Sequence, residues 1–221
     1  MLSVEKEERS DRTYHHGDLR AALLRAGGKL LVEEGVENLT LRRVAREVGV
    51  SHAAPYRHFK DKESLLAAIT LSGFYKLTML MKSAKTSNPG APREQLVKAG
   101  VNYIQMALAH PEMMQLMFGG TIKRVILEQE FERAVKLGEY PRDALDAFEK
   151  LEEIVDVGVE SGTFRQKDVH ELTLLAWSTV HGLAMILLGK QLQEPPEGPE
   201  AVEALTKCLC EDLLLGVLVR S

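Results

Sequence analysis

Residues 40–62 read TLRRVAREVGVSHAAPYRHFKDK, and the rest of the chain is arranged around them. Leu41, Val44, Ala45 and Val48 recur at i, i+3, i+4 and i+7, the spacing of one face of an α-helix, and Arg42, Arg43 and Arg46 occupy the other face. Gly49 stands where a helix needs a left-handed residue to stop. Val50 follows as a core plug, and Ser51 is placed to cap a second helix from His52 to about Phe59. Two short helices joined by a turn of about three residues have the helix-turn-helix spacing. Between Arg42 and Lys60 the chain carries Arg42, Arg43, Arg46, Arg57 and Lys60 against one acid, Glu47. That local excess of positive charge suits a phosphate backbone. Periodicity and charge alone would also describe any basic helix pair joined at a glycine.

The 221 residues carry a net charge of −4. Residues 1–70 hold 12 Lys and Arg against 11 Asp and Glu, which leaves 16 against 21 for the remainder. A head that is near neutral, with one basic stretch, argues against a general nucleic-acid coat and for a localised footprint. No segment alternates with period two, so the chain reads as all-α. Cys208 and Cys210 are two apart on an expected helix and point to nearly opposite sides. No disulfide or metal site is expected of them, and unpaired thiols fit a reducing cytoplasm. The first 18 residues lack the apolar core of a signal peptide. Leu172 to Gly189 has no Lys, Arg, Asp or Glu and reaches the lower edge of a membrane span. Thr173, Ser178, Thr179 and His181 interrupt it, and no second comparable span is expected. A helix buried in a core or a subunit interface is the preferred reading.

In chain order, residues 1–12 form a charged arm, and Thr13 to Gly17 lead into a first helix, Leu19 to Glu34, capped by Asp18 and ended by Gly35. Leu19, Leu23, Ala26, Leu30 and Leu31 make its apolar face, with Arg20 and Arg25 pointing away toward phosphates. His15 and His16 are too few for a metal site. Pro55 falls in the first turn of the second motif helix, where its missing donor costs least. Ala53 and Ala54 allow close approach to base edges, and an alanine methyl can meet a thymine methyl. His52 can bond a base or a phosphate, Tyr56 a phosphate with its ring packed inward, and Arg57 a guanine or a phosphate. A long helix from Lys62 to about Lys85 begins in the head and ends in the body. Further helices are expected over Arg93–Ala109, Glu112–Phe118, Ile122 to about Leu137, Pro141 to about Ser161, Leu172–Gly189 capped by Asp168, and Ala201 to about Val219.

VGVSHAAPYRHFKDKESLL resembles the DNA-binding head of the tetracycline-repressor (TetR/AcrR) family of bacterial transcription regulators. The matching positions are Thr40, Val44, Ala45, Gly49-Val50-Ser51, Tyr56, His58-Phe59 and Lys62 before Leu65. TYHHGDLR is similar to an opening that recurs in one subgroup, where the arm lies beside the DNA or caps the first helix. Trp177, His181 and Gly182 in AWSTVHGLA are similar to a W-H-G signature of the C-terminal domain in one subgroup. The resemblance implies an all-α fold, with a three-helix helix-turn-helix head at residues 13–73 (motif about 41–60) and a regulatory and dimerisation domain at 74–221. It implies a cytoplasmic regulator, as a repressor, that holds a palindromic double-stranded operator as a homodimer paired through the last two helices. A small-molecule effector would release it. The expected DNA-binding residues are Thr40, Arg42, Arg43, Ser51, His52, Ala53, Pro55, Tyr56, Arg57, His58 and Lys62.

Tyr103, Met113, Met117, Phe118, Trp177 and His181 are the candidates for an effector pocket. The plainer alternative is that Trp177 plugs the core, His181 is a satisfied imidazole and the methionines are packing. No cofactor, metal or catalytic residue is expected, since no P-loop, nucleophile elbow or HExxH occurs. A helical adaptor, or a nonspecific DNA organiser without a small-molecule switch, is the alternative function.

Overall fold

The computed structural model describes residues 19–217, and among these all regular structure is helical. The helices are α1 (Leu19–Asn38), α2 (Leu41–Val48), α3 (Lys62–Ser87), α4 (Pro92–Ala109), α5 (Pro111–Phe118), α6 (Arg124–Lys136), α7 (Ala147–Glu160), α8 (Val169–Leu188) and α9 (Gly198–Val217), with a 3-10 turn at Pro55–Arg57. The all-α expectation holds. The N-terminal arm, the Asp18 cap and the His15-His16 pair lie outside the described residues. The chain divides after Leu65 into two compact units.

The first unit is built on leucines. Leu23, Leu30 and Leu31 of α1 are buried, as are Leu39, Leu41, Val44 and Ala45. Gly35 does interrupt α1, at φ 76 and ψ 170, and Val36–Asn38 then add a short turn beyond the expected end. A charge cluster ties α1 to α2. Arg43 lies between Glu34 of α1 at 2.7 Å and Glu47 at 3.0 Å, and Lys29 of α1 reaches Glu47 at 2.7 Å. Hydrogen bonds from Lys29 and then Arg43 hold the Glu47 carboxyl below the usual carboxylate range. Arg20 does not point away toward phosphates: its guanidinium lies 5.0 Å from the centre of the buried Phe59 ring.

Two expected helices differ. The segment after Ser51 is not an α-helix from His52 to Phe59. It is a pair of turns and one 3-10 turn, closed by Ala54 N–H to Ser51 O at 2.9 Å and His58 N–H to Pro55 O at 2.9 Å. Pro55 has no N–H to give, and no side-chain cap forms at its start. Likewise Pro141 opens a turn, with Ala144 N–H on Pro141 O at 3.1 Å, and α7 starts only at Ala147.

In the second unit α4 is the hub. It packs on α7, α8 and α9, and residues on nearly every side of it are buried, from Leu96 and Gly100 to Tyr103 and Ala107. Asp168 caps α8 as expected, its carboxylate accepting from Glu171 N–H at 2.9 Å. Lys190, at φ 52, takes the left-handed place after α8. α3 is a second helix comparable to α8 in length and apolar content, which corrects the expectation of a single such span, and most of its apolar stretch is buried. Its hydroxyls reach carbonyls of its own backbone, Thr70 on Leu66 O, Ser72 on Ile69 O, Thr78 on Phe74 O and Thr86 on Lys82 O, and Thr78 also reaches Ala144 O at 2.9 Å.

Two outcomes follow. Glu47, whose folded pKa is depressed, contributes stability above its unfolded pKa of about 4.3 that is lost as pH falls through the folded value. Urea midpoints of the first unit, followed by amide exchange, should therefore decline on acidification in the wild type, and the decline should flatten in Glu47→Gln. A Cβ at Gly158 would fall inside the contact distance of the Phe164 ring. Gly158→Ala should destabilise the second unit by about 1–3 kcal/mol in urea melts. Gly28→Ala, where nothing lies within 4 Å, should stabilise the first unit by about 0.5–1 kcal/mol.

Candidate nucleic-acid interface and interior cavity

The motif is held by backbone chemistry before any ligand is considered. Thr40 caps α2, its hydroxyl accepting from Arg43 N–H at 3.1 Å. Gly49 ends α2 at φ 77, a left-handed conformation that costs a side-chain-bearing residue about 1 kcal/mol or more. Val50 N–H then closes on Ala45 O at 3.0 Å. Beyond the turn, Pro55 and Phe59 are buried and anchor the segment. Their burial leaves Ser51, His52, Ala53, Tyr56 and Arg57 exposed and His58 half-buried. Tyr56 is 53 % exposed, so its ring does not pack inward. Pro55 sets the turn from beneath and offers no outward surface.

The charges sort into two groups. Arg43 and Lys29 are met by Glu34 and Glu47 within the unit. Arg42, Arg46, Arg57 and Lys60 are exposed. Lys62, at the start of α3, donates to Glu37 O at 3.2 Å, which fixes its position without neutralising it. The exposed face can therefore offer several uncompensated cations beside a row of small and polar groups. Ser64 N–H on the Asp61 carboxylate at 2.8 Å caps α3 and sets Lys62 in its first turn.

The second unit contains a partly open cavity of about 170 Å³. Its wall takes Phe74 and Leu77 from α3, Tyr103 from α4, Phe118 from α5, Phe148 from α7 and Trp177 from α8. None of the described residues lining it is charged. The Tyr103 hydroxyl lies 2.6 Å from His181 Nδ1. Burial pushes the phenol pKa well above its ordinary value, partly offset by the Trp177 indole, and lowers that of the imidazole. Both groups are thus neutral near pH 7 and share one hydrogen bond. Burial also pushes the Cys210 thiol in the same wall up to about 11.

Of the six pocket candidates, Tyr103, Phe118 and Trp177 line the cavity. His181 stands behind it, its ring centre 4.9 Å from Phe118 and 5.2 Å from Trp177. Met113 and Met117 pack elsewhere, with their sulfurs against the backbone of Gly73. Phe74, Leu77, Phe148 and Cys210 were not anticipated, because a core aromatic and a cavity wall carry the same sequence signal. Cys208 is exposed and Cys210 buried, the opposite placement that a two-residue spacing on a helix requires. Among the described residues no three metal-ligating side chains converge.

Comparison with known proteins follows the same division. Residues 23–69 match the family described as bacterial regulatory proteins, tetR family, and residues 96–209 match the tetracyclin repressor-like C-terminal domain. A structure of a protein with unknown function from Rhodococcus sp. RHA1 is 30% identical, with a TM-score of 0.78 over 95% of this chain and 100% of that one. The TetR family transcriptional regulator PfmR from Thermus thermophilus is 25% identical, with a TM-score of 0.61 over 90% and 99%. A helix-turn-helix-type transcriptional regulator of Staphylococcus aureus (strain USA300) is 54% identical over 37 residues, 17% of this chain and 20% of that protein. The chain thus spans a fifth of the length of the curated relatives it matches. With a family match over more than half its length and a structural relative over nearly all of it, the chain belongs to the TetR family of bacterial regulatory proteins.

Proposed function

We propose that this TetR-family regulator is a repressor that binds a palindromic operator as a homodimer and is released by a small molecule held in the interior cavity. The observation that carries the DNA half is the recognition segment itself. Buried Pro55 and Phe59 leave Ser51, His52, Ala53, Tyr56 and Arg57 exposed together, next to cations that no acid among the described residues neutralises. His52 and Arg57 are the side chains long enough to read a base edge, Ala53 can meet a thymine methyl, and Thr40, Arg42, Tyr56, His58 and Lys62 suit phosphates. Arg43 serves the head rather than the DNA, since Glu34 and Glu47 already take its donors.

Pairing through α8 and α9 is supported by an uncovered stripe on α8. Leu174, Leu175 and Ile186 are exposed at 44%, 41% and 37%, and Ser178 and Gly182 complete the same face. Nothing lies within 4 Å of where a Gly182 Cβ would be, so the glycine of the W-H-G match is free to let another helix approach. A two-fold pair places two recognition segments on two half-sites. Release is supported by α3, the helix that carries both Lys62 at its start and Phe74 of the cavity wall. A ligand that prefers one position of Phe74 and DNA that prefers another would be coupled through this helix.

Selection of bound fragments from the host genome supplies the operator, and binding to it should be lost with scrambled sequence. Equal affinity for both would favour a nonspecific DNA organiser. On that operator Arg57→Ala should relax preference at one base position by about 1–3 kcal/mol, whereas Tyr56→Ala should weaken all sequences alike. Arg42→Ala should lower the slope of log affinity against log salt by about 1, and Arg43→Ala should leave that slope unchanged while lowering the melting temperature of the head. Leu175→Glu, placing a charge on the α8 stripe, should yield a monomer in sedimentation velocity. A dimer that persists in that variant would move the interface elsewhere.

A further inference from the structure

We infer that the interior cavity is selective for a neutral aromatic of about phenol size whose hydroxyl shares a hydrogen bond with the Tyr103 hydroxyl. The inference rests on the cavity being the effector site and names what that site would take. Three observations converge on it.

Size comes first. An enclosed apolar cavity of about 150 Å³ holds a benzene. At about 170 Å³ this one has room for one ring and one or two further heavy atoms. Charge comes second. The described lining residues include no Lys, Arg, Asp or Glu, so a carboxylate or ammonium bound there would be desolvated with no counter-ion. Ring edges and faces from Phe74, Phe118, Phe148 and Trp177 offer instead the offset and edge contacts that an aromatic guest prefers.

Hydrogen-bond polarity comes third. Tyr103 is 3% exposed, and its hydroxyl shares one hydrogen bond with His181 Nδ1 at 2.6 Å and is met by the Trp177 indole. A hydroxyl has one donor and two acceptor sites, so one of the three is left: a lone pair where the phenol donates to the ring nitrogen, the O–H where the ring nitrogen donates. A phenol guest both donates and accepts and so fits either arrangement, whereas the parent hydrocarbon leaves that site unmet. His181 is a positioning residue here, since it orients the hydroxyl without lining the cavity.

Trp177 is the single tryptophan of the chain and stands in the wall, so it reports directly. The full chain, without DNA, is titrated near neutral pH with phenol, toluene and benzoate while Trp177 emission is followed. Phenol should saturate, about three- to tenfold more tightly than toluene, and benzoate should be at least about tenfold weaker than phenol. Tyr103→Phe should bring phenol and toluene to within about twofold of each other, with toluene binding kept as the sign that the fold is intact. Leu151→Phe, which narrows the cavity from α7, should weaken phenol and toluene alike. Benzoate binding as tightly as phenol, no saturation with phenol, or a phenol preference that survives Tyr103→Phe would overturn the inference. Operator affinity is measured separately on the same samples. Phenol that binds with this selectivity and leaves the operator held upholds the ligand class and removes the effector role.

Discussion

A proline has no backbone proton, and the DNA-facing surface depends on where that deficiency falls. At Pro55 it denies the segment after Gly49 a regular α-helical ladder. The chain settles into successive turns closed on Ser51, Ala54 and Pro55 carbonyls. With Pro55 and Phe59 turned into the core, the residues between and before them have no choice but to face out. The presented surface is consequently short, stiff and poor in long side chains. Sequence preference on such a surface leans on shape and apolar contact as much as on hydrogen bonds to bases.

The same head shows how a charge is withdrawn from function. Arg42, Arg43 and Arg46 are near neighbours on one short helix, yet only Arg43 is within reach of Glu34 as well as Glu47. Its two partners make it a tie between α1 and α2. α2, at eight residues too short to persist alone in water, gains a fixed geometry against α1 from buried leucines and this cluster. In the second unit that role belongs to α4, which is wrapped by α5, α7, α8 and α9. Large rings arriving from four helices around a hub do not fill all of the volume between them, and the cavity is what remains.

Much of this was legible in the chain because it is local. Asp168 as a cap and Gly49 as a left-handed stop depend on a residue and its near neighbours, and both were found where expected. The helix after Ser51 and the one from Pro141 were over-extended for a single reason. A proline at a helix start is common, but each of these opens a turn instead, and nothing in its immediate neighbours declares that. The remaining differences are tertiary. Arg43 is claimed by an acid nine residues earlier, and Arg20 is claimed by Phe59, almost forty residues later. Phe74 and Phe148 look like any buried ring until the structure leaves space beside them, and Met117 looks like a pocket wall until Gly73 gives its sulfur somewhere else to go.

Four hydroxyls along α3 bond back to carbonyls of the preceding turn. This lets an apolar helix carry Thr70, Ser72, Thr78 and Thr86 without orphaned donors. It has a mechanical corollary. A carbonyl shared between a backbone N–H and a side-chain O–H holds its ladder bond less firmly, and helices bend where this happens. The ladder bonds of α3 are thus weakest at intervals along its length, on both sides of the Phe74 turn, and curvature is the deformation that such a helix adopts most readily.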